Sequence, residues 1–133
     1  MILDTSVLVS AERGRAKLDA LLNEDDDVAI AAITAAELWF GVALADARRG
    51  PRRATFVEQV LSTIPVEDYD LSVARAHADL LVESRRAGRV RGAHDLVIAA
   101  TAVASDRELI SLDRSGFEGL VGVRVRSVAS PPA

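Results

Sequence analysis

The chain has 133 residues, half of them apolar, and a formal net charge of −4. That length fits one domain able to bury a core. The lack of cysteine excludes disulfides and thiolate metal sites, and no apolar run nears the roughly 18 residues of a membrane span.

The opening MILDTS lacks the basic stretch and long apolar core of a secretory signal, so the expected setting is cytoplasmic, with no membrane. In chain order, Ile2 and Leu3 predict a short buried strand with Asp4 at its end. Helices are expected over 5–12 and 15–22. NEDDD, residues 23–27, reads as a polar connection before an apolar strand at 28–33. The next helix is expected over 34–47, with Leu38, Val42 and Ala45 at three-to-four spacing. RRGPRR, residues 48–53, is a second polar connection, and Pro51 begins a helix carrying Phe56, Val57, Val60 and Leu61.

A third strand is expected at 63–66. Residues 71–87 predict a long amphipathic helix with the stripe Leu71, Ala74, Ala78, Leu81 and Val82, ended by Gly88. Residues 95–104 are nearly all apolar, which predicts a buried helix. Strands at 109–112 and 121–125 complete a single domain over 1–130, with a frayed tail at 131–133. Short apolar strands alternating with helices predict an α/β fold whose parallel sheet is covered on both faces.

Active sites in such sheets lie beyond the carboxyl ends of the strands. Asp4 follows the first strand, Glu37 lies in the first turn after the second, and Asp113 follows the fourth. Asp95 heads the buried helix and joins them if that helix runs back toward the same edge. Each has a structural alternative. Asp4 and Asp113 have the form of N-caps, TAAE at 34–37 has the form of a capping box with Thr34 at the cap, and Asp95 can balance a helix dipole.

Together, four carboxylates on one rim repel. A pair of charges at 4 Å interacts by about 4 kcal/mol at an effective dielectric of 20, so either pKa values rise or a cation sits among them. Oxygen donors without cysteine select hard ions, Mg²⁺ or Mn²⁺. His94 points to a different side of its helix from Asp95 and reads as a supporting or surface group.

Of the 16 basic residues only Lys17 is a lysine. Arginines cluster at Arg48, Arg49, Arg52 and Arg53 and again at Arg85, Arg86, Arg89 and Arg91. They are either a solvated surface or a grip on phosphate oxygens. Trp39 and Phe40 are adjacent, so both cannot face one core. One is expected inside, and the other partly exposed or at an interface.

ILDTSVLV, TAAELWFGV, GAHDLVIAATA and LISLDRSGF, in that order, resemble the PIN-domain ribonucleases, specifically the VapC-type toxins of bacterial toxin–antitoxin pairs. The resemblance runs from Asp4 to Phe117. It implies a five-stranded parallel sheet in an α/β/α sandwich, Mg²⁺- or Mn²⁺-dependent endoribonuclease activity on RNA, a VapB-like antitoxin as inhibitor, and a homodimer. Asp4, Glu37, Asp95 and Asp113 match the family's acidic positions, with Asp4 and Asp95 as metal ligands and Ser6 and Ser111 as supporting hydroxyls. Hydrolysis by metal-activated water then follows, with the arginine clusters on the RNA backbone. A catalytically silent RNA- or protein-binding module is the alternative. A receiver-type phospho-acceptor domain needs a lysine beside its acid, and Lys17 falls in the helix expected over 15–22. No glycine run marks a dinucleotide or P-loop site.

Overall fold

The computed structural model describes residues 1–14 and 26–127. Five parallel strands cross the molecule: β1 (Ile2–Leu3), β2 (Ile30–Ala31), β3 (Val66–Glu67), β4 (Leu109–Ser111) and β5 (Val125–Ser127). β1 pairs with β4 in the register Ile2↔Leu109, β4 with β5 as Leu109↔Val125, and β2 with β3 as Ile30↔Val66. The two halves join through a single parallel bridge, Ile2↔Ala29. Leu3 N–H donates to the Ala29 carbonyl at 3.0 Å and Ala29 N–H to that of Met1 at 2.9 Å. The order is therefore β3–β2–β1–β4–β5, and the chain reverses its direction of winding between β1 and β4. In open α/β sheets that crevice is where ligands bind.

The strands are apolar at successive positions because both sheet faces are covered. Ile2, Ala29, Ala31 and Leu109 face one core with α4 (Leu71–Arg86) and α5 (Ala93–Ala104). Leu3, Ile30 and Ile110 face the other, with α1 (Thr5–Glu12), α2 (Ala32–Leu44) and α3 (Gly50–Thr63). This alternation produces the three-layer α/β/α sandwich expected from the sequence.

Several local expectations shift. α2 begins at Ala32, not at residue 34, and its N-cap, Ala31, makes no side-chain cap bond. The alanine-rich turn takes Ile33 into the helix. Thr34 is fully buried, so the capping box at 34–37 does not form. The fifth strand starts at Val125, because Gly119 and Gly122 hold φ of 84° and 80° and turn the chain where strand 121–125 was expected.

α4 presents a different stripe from the expected one. Val73, Ala76, Leu80 and Ser84 are buried, whereas Leu71, Ala78, Leu81 and Val82 face outward. The helix carries two apolar stripes, and small Ala76 permits close packing on the alanine-rich α5. Its phase is set by Asp70, whose side chain accepts the Val73 N–H at 3.0 Å. Trp39 and Phe40 are both exposed, at 59% and 64%, so neither is the expected core aromatic; Leu38 fills the core on that face. The helix expected over 15–22 and the tail lie outside the described residues. Among those described, no helix is long and apolar enough to cross a membrane.

Candidate active site

β1 ends at the crevice, with Asp4 next in the chain. Its backbone N–H donates to the Ile110 carbonyl at 2.8 Å, which locks it beside β4. Asp4 occupies the N-cap position of α1 but makes no side-chain cap bond. Instead Oδ2 accepts the hydroxyls of Ser6 and Ser111, each at 2.8 Å. The side chain is buried, and a buried carboxylate without such donors costs several kcal/mol. Each serine also receives a backbone N–H from the segment after β4: Leu112 to Ser6 Oγ at 3.2 Å and Asp113 to Ser111 Oγ at 2.9 Å. Asp4 and the start of the Asp113 segment are thus tied through two hydroxyls.

Glu37 projects from α2. Its Oε1 accepts Thr5 Oγ1 at 2.9 Å, and the same hydroxyl lies 3.3 Å from Thr34 Oγ1. His94 Nδ1 stands 3.6 Å from Glu37 Oε2, so this histidine supports a neighbouring acid, as its offset from Asp95 implied. Thr5 was missed in the sequence reading, and Thr34 was read there as a helix cap. The only signal for Thr5 was its place directly after Asp4.

Asp95 sits in the first turn of α5, wedged between two glycines. A β-carbon on Gly92 would stand 3.0 Å from Asp95 Oδ2; one on Gly116 would stand 2.9 Å from that atom and 3.7 Å from Asp113 Oδ2. Neither glycine was singled out from sequence, where nothing marks them as facing one carboxylate. Asp95 is pushed up to about 6, first by burial, then by the charges of Asp4, Asp113 and Glu37, with His94 opposing. The four acids therefore share one electrostatic neighbourhood.

Asp113 precedes a short 3₁₀ turn, Arg114–Gly116, and does not cap it. It is the most exposed of the four, with Oδ1 accepting Ser115 Oγ at 2.7 Å. Among the described residues no three acidic or histidine side chains form a ready-made metal cage. Hydroxyl donors hold Asp4, Glu37 and Asp113 in separate orientations, as mutual repulsion favours.

Beside Glu37 a cleft of about 160 Å³ opens between α1, α2 and α3, with Val9, Leu38, Phe56 and Val57 as its apolar lining. Arg53 on its rim donates to the Gly41 carbonyl at 3.2 Å and pairs with Glu12 at 3.4 Å.

The PIN domain family model matches residues 1–120. A VapC ribonuclease of Sinorhizobium fredii, Y4jK, is 39% identical, covering 89% of this chain and 90% of that protein. Ribonuclease VapC5 of Mycobacterium tuberculosis is 38% identical, covering 93% and 92%. Among solved structures, VapBC-5 from M. tuberculosis superposes with a TM-score of 0.79 at 31% identity, over 96% of this chain and 97% of that one. The DNA-bound VapBC of Salmonella typhimurium gives 0.86 at 25%, over 95% and 96%. By sequence and by fold alike, the chain belongs to the PIN-domain family and, within it, to the VapC ribonucleases.

Proposed function

We propose that the chain is a metal-dependent endoribonuclease toxin in which Asp4, Glu37, Asp95 and Asp113 form the catalytic centre and Asp4 and Asp95 hold Mg²⁺ or Mn²⁺. The observation that carries this reading is that Asp95 shares one rim with Asp4, Asp113 and Glu37, so that burial first and then their charges push it up. Such clustering is destabilising for a fold alone and is what a divalent cation relieves. The donor set fits: carboxylate and hydroxyl oxygens, with no thiol.

When bound, the ion lowers the pKa of a coordinated water and offsets charge on the phosphodiester. The remaining work belongs to the chain. Asp4 is held still by Ser6 and Ser111. Glu37, between Thr5 and His94, is placed to accept a proton from the attacking water. Asp113, at the open side, faces the incoming backbone. Anionic RNA is repelled by this rim, so basic groups beside it are needed. Arg48, Arg49 and Arg52 are exposed and supply that attraction.

Neutralisation by a VapB-like antitoxin is the second half of the proposal. It draws on the relatives solved as VapBC complexes and on Trp39, Phe40 and Leu44, exposed in succession along α2. A homodimer accounts for part of the same apolar surface. A cytoplasmic setting, where a toxin of this kind would meet its RNA, belongs to the same reading.

The test is incubation of antitoxin-free protein with RNA, with Mg²⁺, with Mn²⁺ and with EDTA. Cutting only with metal, lost in Asp4→Asn and Asp95→Asn, supports the reading. RNA retained but uncut in every condition would establish the catalytically silent alternative. Light scattering on the isolated chain decides the dimer.

A further inference from the structure

We propose that Arg89 and Arg91 are positioning residues, which clasp the segment after β4 against Asp95 and so set the gap between Asp95 and Asp113. The inference rests on the assignment of those two acids to the catalytic centre.

The segment from Asp113 to Gly122 is poorly self-supporting. It contains Gly116, Gly119 and Gly122 and only one 3₁₀ turn. Its own bonds are few and local, with the Phe117 and Glu118 N–H groups donating to the Arg114 carbonyl at 3.1 and 3.0 Å, and further support comes from elsewhere. Phe117 and Leu120 anchor it in the α4–α5 core, and Glu83 of α4 accepts the Val121 N–H at 3.0 Å. The connection between α4 and α5 supplies the rest. Arg91 donates from Nη1 to the Gly116 carbonyl at 3.0 Å and from Nη2 to that of Glu118. Arg89 donates to the carbonyls of Ser115 at 3.3 Å and Glu118 at 3.5 Å.

These contacts fall at the walls of the Asp95 slot. Arg91 is the residue before Gly92, one wall, and its guanidinium holds the carbonyl of Gly116, the other. One side chain therefore staples the two walls together. The donors meet backbone carbonyls, whereas the groups acting on the Asp95 charge are Asp4, Asp113, Glu37 and His94. The role is geometric, and a planar fork suits it: two nitrogens of one rigid group reach two carbonyls, which a single ammonium does not reproduce. Groups that are already donating in this way are poorly placed to grip RNA phosphates, the role their clustering in sequence implied.

The experiment compares wild type, Arg89→Ala, Arg91→Ala and Arg91→Lys, as full chains freed of antitoxin. RNA cleavage is followed over a range of Mg²⁺ concentrations, and amide hydrogen exchange without metal. Arg91→Ala should lower kcat about tenfold and raise the Mg²⁺ needed for half-maximal rate several-fold, with KM for RNA within about twofold. Arg91→Lys should recover little of this, and Arg89→Ala should show a weaker version. Amides of residues 114–118 should exchange about tenfold faster in Arg91→Ala while those of β4 do not change.

A raised KM with unchanged kcat and Mg²⁺ requirement would overturn the proposal in favour of RNA contact. Full rescue by lysine would reduce the role to charge, and unaltered exchange would show that the arginines hold nothing. A wild type that cuts no RNA at any Mg²⁺ concentration would refute the catalytic assignment instead, and exchange would still decide the clasp.

Discussion

The two ends of the sheet handle acidic residues in opposite ways. Ahead of β2 and β4, Arg107 forks onto Asp27 at 2.9 and 3.2 Å, and it also reaches Glu67, the last residue of β3, at 2.6 Å. Asp27 is accordingly held below the usual carboxylate range, chiefly by the Arg107 hydrogen bond. Beyond the strand ends, Asp4, Glu37, Asp95 and Asp113 have hydroxyls, glycines, one another and the exposed His94 3.6 Å from Glu37, and Asp95 is raised to about 6. An acid that meets a cation in its own fold serves the fold. Acids gathered with a histidine but no arginine ion pair among the described residues, at the crevice of a parallel sheet, fit the proposed metal site.

The largest effect expected from this contrast is on catalysis. Asp4→Asn or Asp95→Asn should reduce RNA cleavage by a factor on the order of 10² to 10⁴ while leaving the circular dichroism of the fold unchanged. Arg107→Ala should leave cleavage at 25 °C nearly intact. Equal losses at both ends would erase the distinction. Gly116→Ala is next. Its β-carbon would stand 2.9 Å from Asp95 Oδ2, so the strap or the carboxylate must shift, and cleavage should fall about tenfold to a hundredfold with little change in melting temperature.

The stability effects are smaller and opposite in sign. Asp95 binds a proton more tightly folded than unfolded, so its contribution favours the fold below pH about 4 and is lost as pH rises through about 6. Metal-free Asp95→Asn should therefore melt a few degrees above wild type at pH 7.5, and that gain should vanish near pH 4. Asp27 behaves in reverse: its contribution is present above its ordinary value and fades as pH falls through the lowered one. Arg107→Ala should lower the melting temperature by a few degrees at pH 7 and by less in acid. Thermal scans of both variants across pH 4–8 check the pair.

The acidic side of this contrast was legible in the sequence, whereas the Arg107 cluster was not. Ile2, Leu3, Leu109 and Ile110 are apolar at consecutive positions, which only a strand covered on both faces requires, and an acid two or fewer residues past such a strand must lie on the functional edge. The helical course of residues 71–87 was equally plain, but its buried face was not. Leu71, Leu81 and Val82 compete with Val73 and Leu80, and only contact with α5 decides between them. Likewise, nothing local distinguishes Arg91, whose fork holds two carbonyls, from Arg49, which faces outward. Trp39 and Phe40 show the same limit: apolar character does not separate a core from an exposed face. Long-range partners are what sequence pattern leaves unwritten.

Calorimetric titration of Mn²⁺ into the antitoxin-free chain, in two buffers of different ionisation enthalpy, probes the acidic edge itself. With Asp95 at about 6, binding at pH 6 should release about half a proton and binding at pH 8 almost none. Asp95→Asn should remove that release, and Asp4→Asn should weaken binding at least tenfold. Failure of the wild type to take up Mn²⁺ at either pH, or equal uptake by both variants, would contradict the account.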